Sequence, residues 1–238
     1  DNWINTHNLT GAYASVHLRG MEGQCTQSGQ TIVDIMNANP AFANMPSSDD
    51  NTMVAVSGTH LHMGAHRLDK SVIVWKTYAT KASLLTVPNY NFSSLSCRGY
   101  YHCCGLTETN EAKCWGDTGG GRTAAPAGVI FSQVSAGADC TIALLASNAQ
   151  WVTIGSWCDS DEYNAGTTAY ALISMGRYHT CGILKYGGGT LKCHGNSDNG
   201  RTSPPAGEFV QVSCGIDFCC AIKRQGRLGN KGEVFRVS

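Results

Sequence analysis

Short runs of alternating apolar and polar residues recur along the chain at a nearly constant spacing. Six such runs begin at an aromatic or large apolar residue, namely Tyr13, Met53, Phe92, Phe131, Tyr170 and Phe209. The intervals between these starts are 40, 39, 39, 39 and 39 residues. An apolar residue stands three positions after each start, and a Ser follows it in five of the six copies. This regularity indicates an internal repeat.

Inside each copy the pattern predicts a strand, a turn and a second strand. Residues 178–184 alternate in polarity, Gly187–Gly189 supply a turn, and residues 190–193 alternate again. Residues 101–106 and 112–116 repeat the arrangement around a turn at Asn110. Short alternating segments between Gly and Asn turns predict strands. A period near 40 is typical of a four-stranded propeller blade, so we predict an all-β fold.

The two chain ends add up to about one further repeat. The last copy runs from residue 209 to 238, and residues 1–12 precede the first start. We therefore predict a single domain over residues 1–238, a six-bladed β-propeller with repeats of about 39 residues. In this prediction the N-terminal strand around Trp3 completes the last blade and leaves no sheet edge open.

Composition adds a compartment to this picture. The chain has 12 Cys, zero formal net charge and 14% charged residues. So many cysteines favour a disulfide framework and an oxidising environment. Asn8 and Asn91 begin N-glycosylation sequons, and the chain starts at Asp1 without an apolar leader, as a processed chain would. We expect a secreted protein with neither membrane insertion, since its apolar stretches are short, nor nucleic-acid binding, since it has no basic excess.

Two segments that are two repeats apart are nearly identical. Gly121–Gly128 reads GRTAAPAG and leads into FSQVSAG, and Gly200–Gly207 reads GRTSPPAG and leads into FVQVSCG. Together with the GxxHTCxxL motif at residues 176–184 and Leu-Lys-Cys at 191–193, these segments resemble the regulator-of-chromosome-condensation repeat. The extracellular, cysteine-bearing branch, as in crinkly-type plant receptor kinases, is the more similar one.

The resemblance is clear over residues 92–222 and rests on the periodic apolar positions alone over residues 1–91. Residues 145–170 depart from it, because they lack the paired cysteine and the Pro-Pro-Ala-Gly segment. The resemblance implies a propeller that binds proteins through a face of blade loops. Nuclear members of the family act as nucleotide-exchange factors on a small GTPase, a role that the cysteines and sequons argue against here.

Cysteine spacing predicts two disulfides. Cys104 and Cys114 flank one predicted hairpin, and Cys181 and Cys193 flank the equivalent one. Antiparallel partners across a hairpin can come within disulfide reach. Zinc is the competing interpretation, but the chain contains no Cys-x-x-Cys pair. The pairing of the other eight cysteines stays open; they are Cys25, Cys97, Cys103, Cys140, Cys158, Cys214, Cys219 and Cys220.

Metal and catalytic chemistry receive little support. His60, His62 and His66 lie close in sequence, and two of them would share one face of a strand. His62, however, falls in the repeat position that holds His102 and His179 in other copies, which favours a role in blade packing. Neither a Gly-x-Ser-x-Gly motif nor a phosphate-binding loop is present. We predict no cofactor, no metal and no catalytic residue.

The segment that breaks the repeat is the candidate ligand site. Trp157, Asp159, Asp161, Tyr163 and Tyr170 lie in or beside it, and loops on a rigid scaffold often carry function.

Other positions fit the scaffold itself. Trp115 shares an apolar column with Ile154 and is expected in the core. Arg122 and Arg201 recur at one turn position, where each would hydrogen-bond the preceding loop.

Two functional hypotheses follow from these patterns. The first is a secreted, non-catalytic module that recognises an extracellular protein or glycan through its blade loops; its narrower form is a lectin. The alternative is a hydrolase on a propeller scaffold. The fold does not choose between them, and the sequence leaves the oligomeric state open.

Overall fold

The computed structural model of the chain is made of β-strands. It describes residues 17–18, 53–58, 62–76, 86–97, 101–158, 167–224 and 234–237. These residues contain strands β1 to β16, short 3-10 turns and no α-helix. The predicted all-β class is therefore confirmed.

The strands fall into five sheets. The first sheet holds β1 (His17–Leu18), β2 (Met53–Gly58), β3 (His62–Arg67) and β4 (Val72–Lys76). The second sheet holds β5 (Phe92–Ser96), β6 (His102–Thr107) and β7 (Ala112–Gly116). The third sheet holds β8 (Phe131–Ala136), β9 (Thr141–Leu145) and β10 (Trp151–Ile154). The fourth sheet holds β11 (Tyr170–Met175), β12 (His179–Leu184) and β13 (Leu191–Gly195). The fifth sheet holds β14 (Phe209–Cys214), β15 (Cys219–Lys223) and β16 (Val234–Val237).

Each sheet contains an antiparallel meander of three consecutive strands, one strand fewer than the four that a period near 40 predicts for a blade. The first strands of successive sheets lie side by side: β2 contacts β5, β5 contacts β8, β8 contacts β11, and β11 contacts β14. The residues that begin the copies, Phe92, Phe131, Tyr170 and Phe209, are all buried. Repetition of one meander about its innermost strand is the arrangement of propeller blades.

The first copy is represented by β1 alone. β1 pairs in parallel with β2, and His17 faces Ser57. These two residues occupy the same position in their copies, so β1 is the first strand of the copy that begins at Tyr13. The rest of that copy, and the N-terminal segment around Trp3, lie outside the described residues. Six blades and closure by the N-terminal strand therefore stay predictions.

A column of buried serines joins neighbouring blades. In four copies the Ser that follows the apolar residue accepts a hydrogen bond through its Oγ from a backbone N–H of the next blade. The four donor–acceptor distances are 3.0 Å for Cys97 to Ser57, 2.9 Å for Ala136 to Ser96, 2.9 Å for Met175 to Ser135 and 2.9 Å for Cys214 to Ser174. The repeated Ser is thus a link between copies, because it satisfies a buried donor that the adjacent first strand would otherwise leave unpaired.

We predict that Ser135→Ala costs about 1–3 kcal/mol of unfolding free energy, because it removes the acceptor of a buried N–H at Met175. Urea unfolding under non-reducing conditions measures the change. Ser132→Ala is the matched control: Ser132 is exposed on the same strand, with a long 3.5 Å bond to Leu144, so we expect a change within about 0.5 kcal/mol. Equal effects of the two variants would contradict a linking role for Ser135.

A second column consists of small residues on the middle strand of each sheet. Its members are Ala65, Gly105, Ala143, Gly182 and Ala221, and each faces the apolar residue of the first strand. All five are buried. At Gly105 the reason is visible, since a Cβ there would lie 2.5 Å from Cδ1 of Phe92. Small side chains in this column make room for the large residue that begins the copy.

Five disulfides join pairs of described residues, all of them in the second to fifth blades. The structure joins Cys104 to Cys114 and Cys181 to Cys193, the two pairs that the hairpin spacing predicts, with Cα atoms 4.0 and 4.1 Å apart. Three further bridges link Cys97 to Cys103, Cys140 to Cys158 and Cys214 to Cys219. Cys220 is also disulfide-bonded, and Cys25 lies outside the described residues.

Candidate recognition face

The turns between the first and second strands lie at one edge of every blade, which we call the turn face. A 3-10 turn follows the third strand of three blades at the same edge, at Gly119–Gly121, Ser156–Cys158 and Asp198–Gly200. Backbone hydrogen bonds connect the two kinds of turn: Asp117 donates to Tyr101 O at 2.7 Å, and Asn196 donates to Tyr178 O at 2.8 Å. In these two blades, backbone hydrogen bonds therefore hold the two kinds of turn together at the turn face.

A buried arginine organises the first junction on this face. The Nε of Arg122 donates to Gly119 O at 2.7 Å, and its Nη1 lies 3.9 Å from Oδ1 of Asp139 in the next blade. Its guanidinium carbon lies 5.0 Å from the ring centroid of Tyr101, a cation–π distance. The arginine side chain is buried, whereas Tyr101 is 40% exposed. An aromatic ring is thus held at the surface by a charge beneath it.

A second junction of the same kind lies two blades further along the chain. The Nε of Arg201 donates to Asp198 O at 2.9 Å, and its Nη1 lies 3.4 Å from Oδ1 of Asp217. Tyr178, 38% exposed, lies between two guanidinium groups, with Arg177 at 4.6 Å and Arg201 at 5.9 Å from its ring centroid. The hydrogen bond from each repeated arginine to the preceding loop, expected from the sequence, is present in both junctions.

The two junctions arise because the residue at one turn position alternates between Tyr and Asp from blade to blade. That position holds Tyr101, Asp139, Tyr178 and Asp217 in four successive blades. Each arginine comes from the GRT segment that follows a tyrosine-bearing blade and reaches the aspartate of the next blade. The turn face therefore presents the same Tyr–Arg–Asp group twice, and in each group an aspartate of the next blade lies near the buried arginine.

The segment that breaks the repeat also reaches the turn face. Cys140 and Cys158 form a disulfide that ties the 3-10 turn Ser156–Cys158 to the first-hairpin turn of its blade. Ser156 Oγ donates to Gly120 O at 3.2 Å, beside the first junction. Trp157 belongs to this turn by its backbone. Asp159, Asp161 and Tyr163, predicted as ligand contacts, lie outside the described residues.

Tyr170, one of the predicted ligand residues, lies in the core and not at the surface. Tyr170 is 1% exposed and stacks on Trp151 with ring centroids 4.6 Å apart and an interplanar angle of 7°. Its hydroxyl lies 2.9 Å from Nε2 of His194. Tyr170 begins a copy, as Phe92, Phe131 and Phe209 do, and it fills the same core position. Its place in the repeat determines its burial, although it also follows the divergent segment.

Burial shifts the pKa values in this aromatic cluster. Desolvation raises the pKa of Tyr170, so its hydroxyl stays protonated. Desolvation, and then the charge of Lys192, lower the pKa of His194 below its usual value. The two groups are therefore neutral near pH 7. Both rings pack against Trp151, so their polar contact helps to build the blade.

The repeated histidines join blades in the interior. His102 and His179 are fully buried, and their Nε2 atoms lie 2.7 Å from Oγ1 of Thr141 and 3.1 Å from Sγ of Cys219, each in the next blade. His179 lies close to Cys214 and Cys219, but these sulfurs are bonded to each other and offer no thiolate to a metal. His66 contacts Phe92 O. His60 and the side chain of His62 lie outside the described part of the chain.

Comparison with known proteins gives the class of this fold. Residues 92–121 match the family model of the Regulator of chromosome condensation (RCC1) repeat. A sequence search of curated proteins found no match. The predicted resemblance to the RCC1 repeat is therefore confirmed over these residues, and the repeated meanders described above are those of an RCC1-like propeller fold.

Three solved structures illustrate the similarity. The ectodomain of the Physcomitrella patens receptor kinase CR4 aligns with a TM-score of 0.62 and 22% identity over 76% of this chain and 50% of that one. The crinkly ectodomain of the Arabidopsis thaliana receptor kinase ACR4 aligns with a TM-score of 0.61 and 22% identity. The alignment covers 75% of this chain and 63% of that one. Prp20p from Saccharomyces cerevisiae aligns with a TM-score of 0.58 and 15% identity over 72% of this chain and 56% of that one. The aligned part thus covers less than two thirds of each of these chains.

The disulfides indicate that the chain matures in an oxidising compartment. Within the described ranges, no helix has the length and hydrophobicity that a membrane crossing requires.

Proposed function

We propose that this chain is a secreted, non-catalytic recognition module that binds an extracellular protein through its turn face. The observation that carries the proposal is the repeated Tyr–Arg–Asp junction. Tyrosine and arginine are enriched among the residues that dominate protein–protein affinity. Here each tyrosine ring is half-exposed and already held in place by a buried guanidinium. A preorganised ring loses little conformational freedom on binding.

Two further observations support a protein partner outside the cell. The disulfides fit an extracellular environment, and two similar structures are receptor-kinase ectodomains. Prp20p, with the same type of propeller, has binding properties towards Gsp1p and histones. These partners belong to that protein; what carries over is the use of an RCC1-type propeller as a protein-binding scaffold.

The junctions also suggest how the module reads a partner. Each presents an aromatic ring beside an aspartate of the next blade, and Asp217 is 54% exposed next to Arg201. A ring with an adjacent carboxylate suits an apolar or cationic side chain of a partner. Because the group occurs twice, one partner could engage both copies and gain from effective concentration.

The test is a binding measurement with variants on the two faces. The disulfide-bonded chain is screened against a display library of extracellular protein domains, and the selected partner is titrated against variants. Tyr178→Ala is expected to weaken binding by about 30-fold or more, as a loss of at least 2 kcal/mol at a dominant contact implies. Tyr186→Ala is the matched control, because Tyr186 is 75% exposed in a turn at the opposite edge.

Three outcomes would contradict the proposal. The first is a partner that tolerates Tyr178→Ala and Tyr101→Ala but not Tyr186→Ala, because binding would then use the opposite edge. The second is selective binding on a glycan array without any protein partner, which would favour a lectin. The third is turnover of a bound substrate, which would favour the hydrolase alternative.

A further inference from the structure

Asn91 occupies an exposed position at the edge opposite the turn face. It immediately precedes β5, beside the turn that joins β6 to β7, whose Glu108 N–H donates to Asn91 O at 3.2 Å. Its neighbour Tyr90 is also exposed, whereas Phe92 is fully buried. The triplet Asn91-Phe92-Ser93 forms an N-glycosylation sequon with the asparagine at the surface.

The carboxamide nitrogen of Asn91 lies at the rim of a solvent-exposed ion pair. Nδ2 donates to Oε2 of Glu108 at 3.1 Å, and the other oxygen of Glu108 pairs with Lys70. The Nδ2 of asparagine carries two hydrogens. Attachment of a sugar uses one of them, so the remaining N–H can still donate to Glu108. Both contacts of Glu108 are compatible with a substituted Asn91.

Ser93 shows when such a modification would have to occur. In the folded chain its hydroxyl donates to the carbonyls of Leu106 at 3.3 Å and Thr107 at 3.2 Å on β6. Phe92 is enclosed in the core at the same time. The sequon is therefore accessible as a whole only before β5 pairs with β6, a pairing that the Cys97–Cys103 disulfide fixes.

We propose that Asn91 carries an N-linked glycan, added in the secretory pathway before β5 and β6 close. The donor would be an oligosaccharide attached to a lipid pyrophosphate. A bond forms between Nδ2 and the anomeric carbon while the bond from that carbon to the phosphate oxygen breaks. The amide loses one proton, and the lipid pyrophosphate leaves with the electron pair.

The glycan gives the two edges of the propeller different roles. A bulky, hydrated substituent at Asn91 covers the edge that includes Tyr90, Lys70 and Glu108. The turn face, at the other end of the strands, stays open. The glycan would therefore keep a protein partner off one edge, and this inference shares with the proposed function only the secreted location of the chain.

The experiment is peptide mass spectrometry of the whole chain secreted from a eukaryotic host. The wild type is expected to yield a glycopeptide that contains Asn91, and enzymatic deglycosylation converts that asparagine to aspartate. Asn91→Gln and Ser93→Ala should each abolish the glycopeptide. Ser93→Ala keeps Asn91 and its contact with Glu108, so it separates loss of the glycan from loss of that hydrogen bond.

An unmodified Asn91 peptide as the main species of the folded, secreted wild type would overturn the proposal. Binding assays keep this outcome apart from the proposed function. Ser93→Ala should bind a turn-face partner as the wild type does, whereas Tyr178→Ala should not, whatever the state of Asn91.

Discussion

Gly105→Val is expected to lower the free energy of unfolding by about 3 kcal/mol or more. A Cβ at this position would lie 2.5 Å from Cδ1 of Phe92 and 2.9 Å from the backbone oxygen of Ser94. Phe92 is fully buried and packs in a cluster with Cys97, Cys103 and Trp115, so a shift of its ring would disturb the core. Valine adds two further methyl groups to the same volume. Urea unfolding and the yield of secreted protein both measure the loss.

Ala143→Gly provides the control for this prediction. Ala143 occupies the equivalent position in the next blade, opposite Val134. Removing its methyl group should cost about 1 kcal/mol, as glycine does within a strand. The double variant Gly105→Val with Phe92→Leu should lose less than the sum of the single variants, because the two residues compete for one space. A Gly105→Val cost no larger than that of Ala143→Gly would show that the small-residue column is not a packing requirement.

Removal of the Cys181–Cys193 disulfide is expected to cost about 3 kcal/mol, because a cross-link over a loop of this length restricts the unfolded chain by about that amount. The bridge spans 12 residues of sequence. Cys181→Ala combined with Cys193→Ala removes the cross-link while the hairpin keeps its backbone pairing. Non-reducing urea unfolding gives the change in free energy. Lys192→Ala, an exposed neighbour on the same strand, should stay within about 0.5 kcal/mol of the wild type.

A disulfide map adds an independent check. Mass spectrometry of the unreduced chain should recover one cross-linked peptide pair that contains Cys181 and Cys193. These residues face each other directly in the antiparallel pairing of β12 and β13. A bridge from either cysteine to another residue would contradict the strand register of this blade, and with it the alignment of the repeats.

The sequence predicts the repeat unit well because the unit is local. The three-stranded meander of each sheet, its turns and two hairpin disulfides all depend on residues within one copy. Cys97 and Cys214 share a repeat position, and each bonds to a cysteine near the start of the next strand. Sequence spacing could not choose that pairing, because two adjacent cysteines follow each of them along the chain.

The Tyr–Arg–Asp junctions of the turn face are harder to predict because their residues come from two successive copies. The repeat draws attention to Arg122 and Arg201, yet their acidic partners, Asp139 and Asp217, come from the following blade. The alternation of Tyr and Asp is visible only once equivalent turns are aligned. Tyr170 differs from the other candidate ligand residues because it begins a copy of the repeat. That position places its side chain in the core, although the divergent segment precedes it.

The serine column has a consequence for how a protein of this kind can change its size. A copy such as the one that begins at Phe131 brings one hydroxyl acceptor for the blade that follows it and one backbone donor for the blade before it. Insertion or deletion of a whole copy therefore leaves donors and acceptors matched, whereas a partial copy leaves one of them buried and unpaired. A gene that gains or loses one whole 39-residue unit would therefore still encode neighbouring first strands whose buried donors and acceptors match.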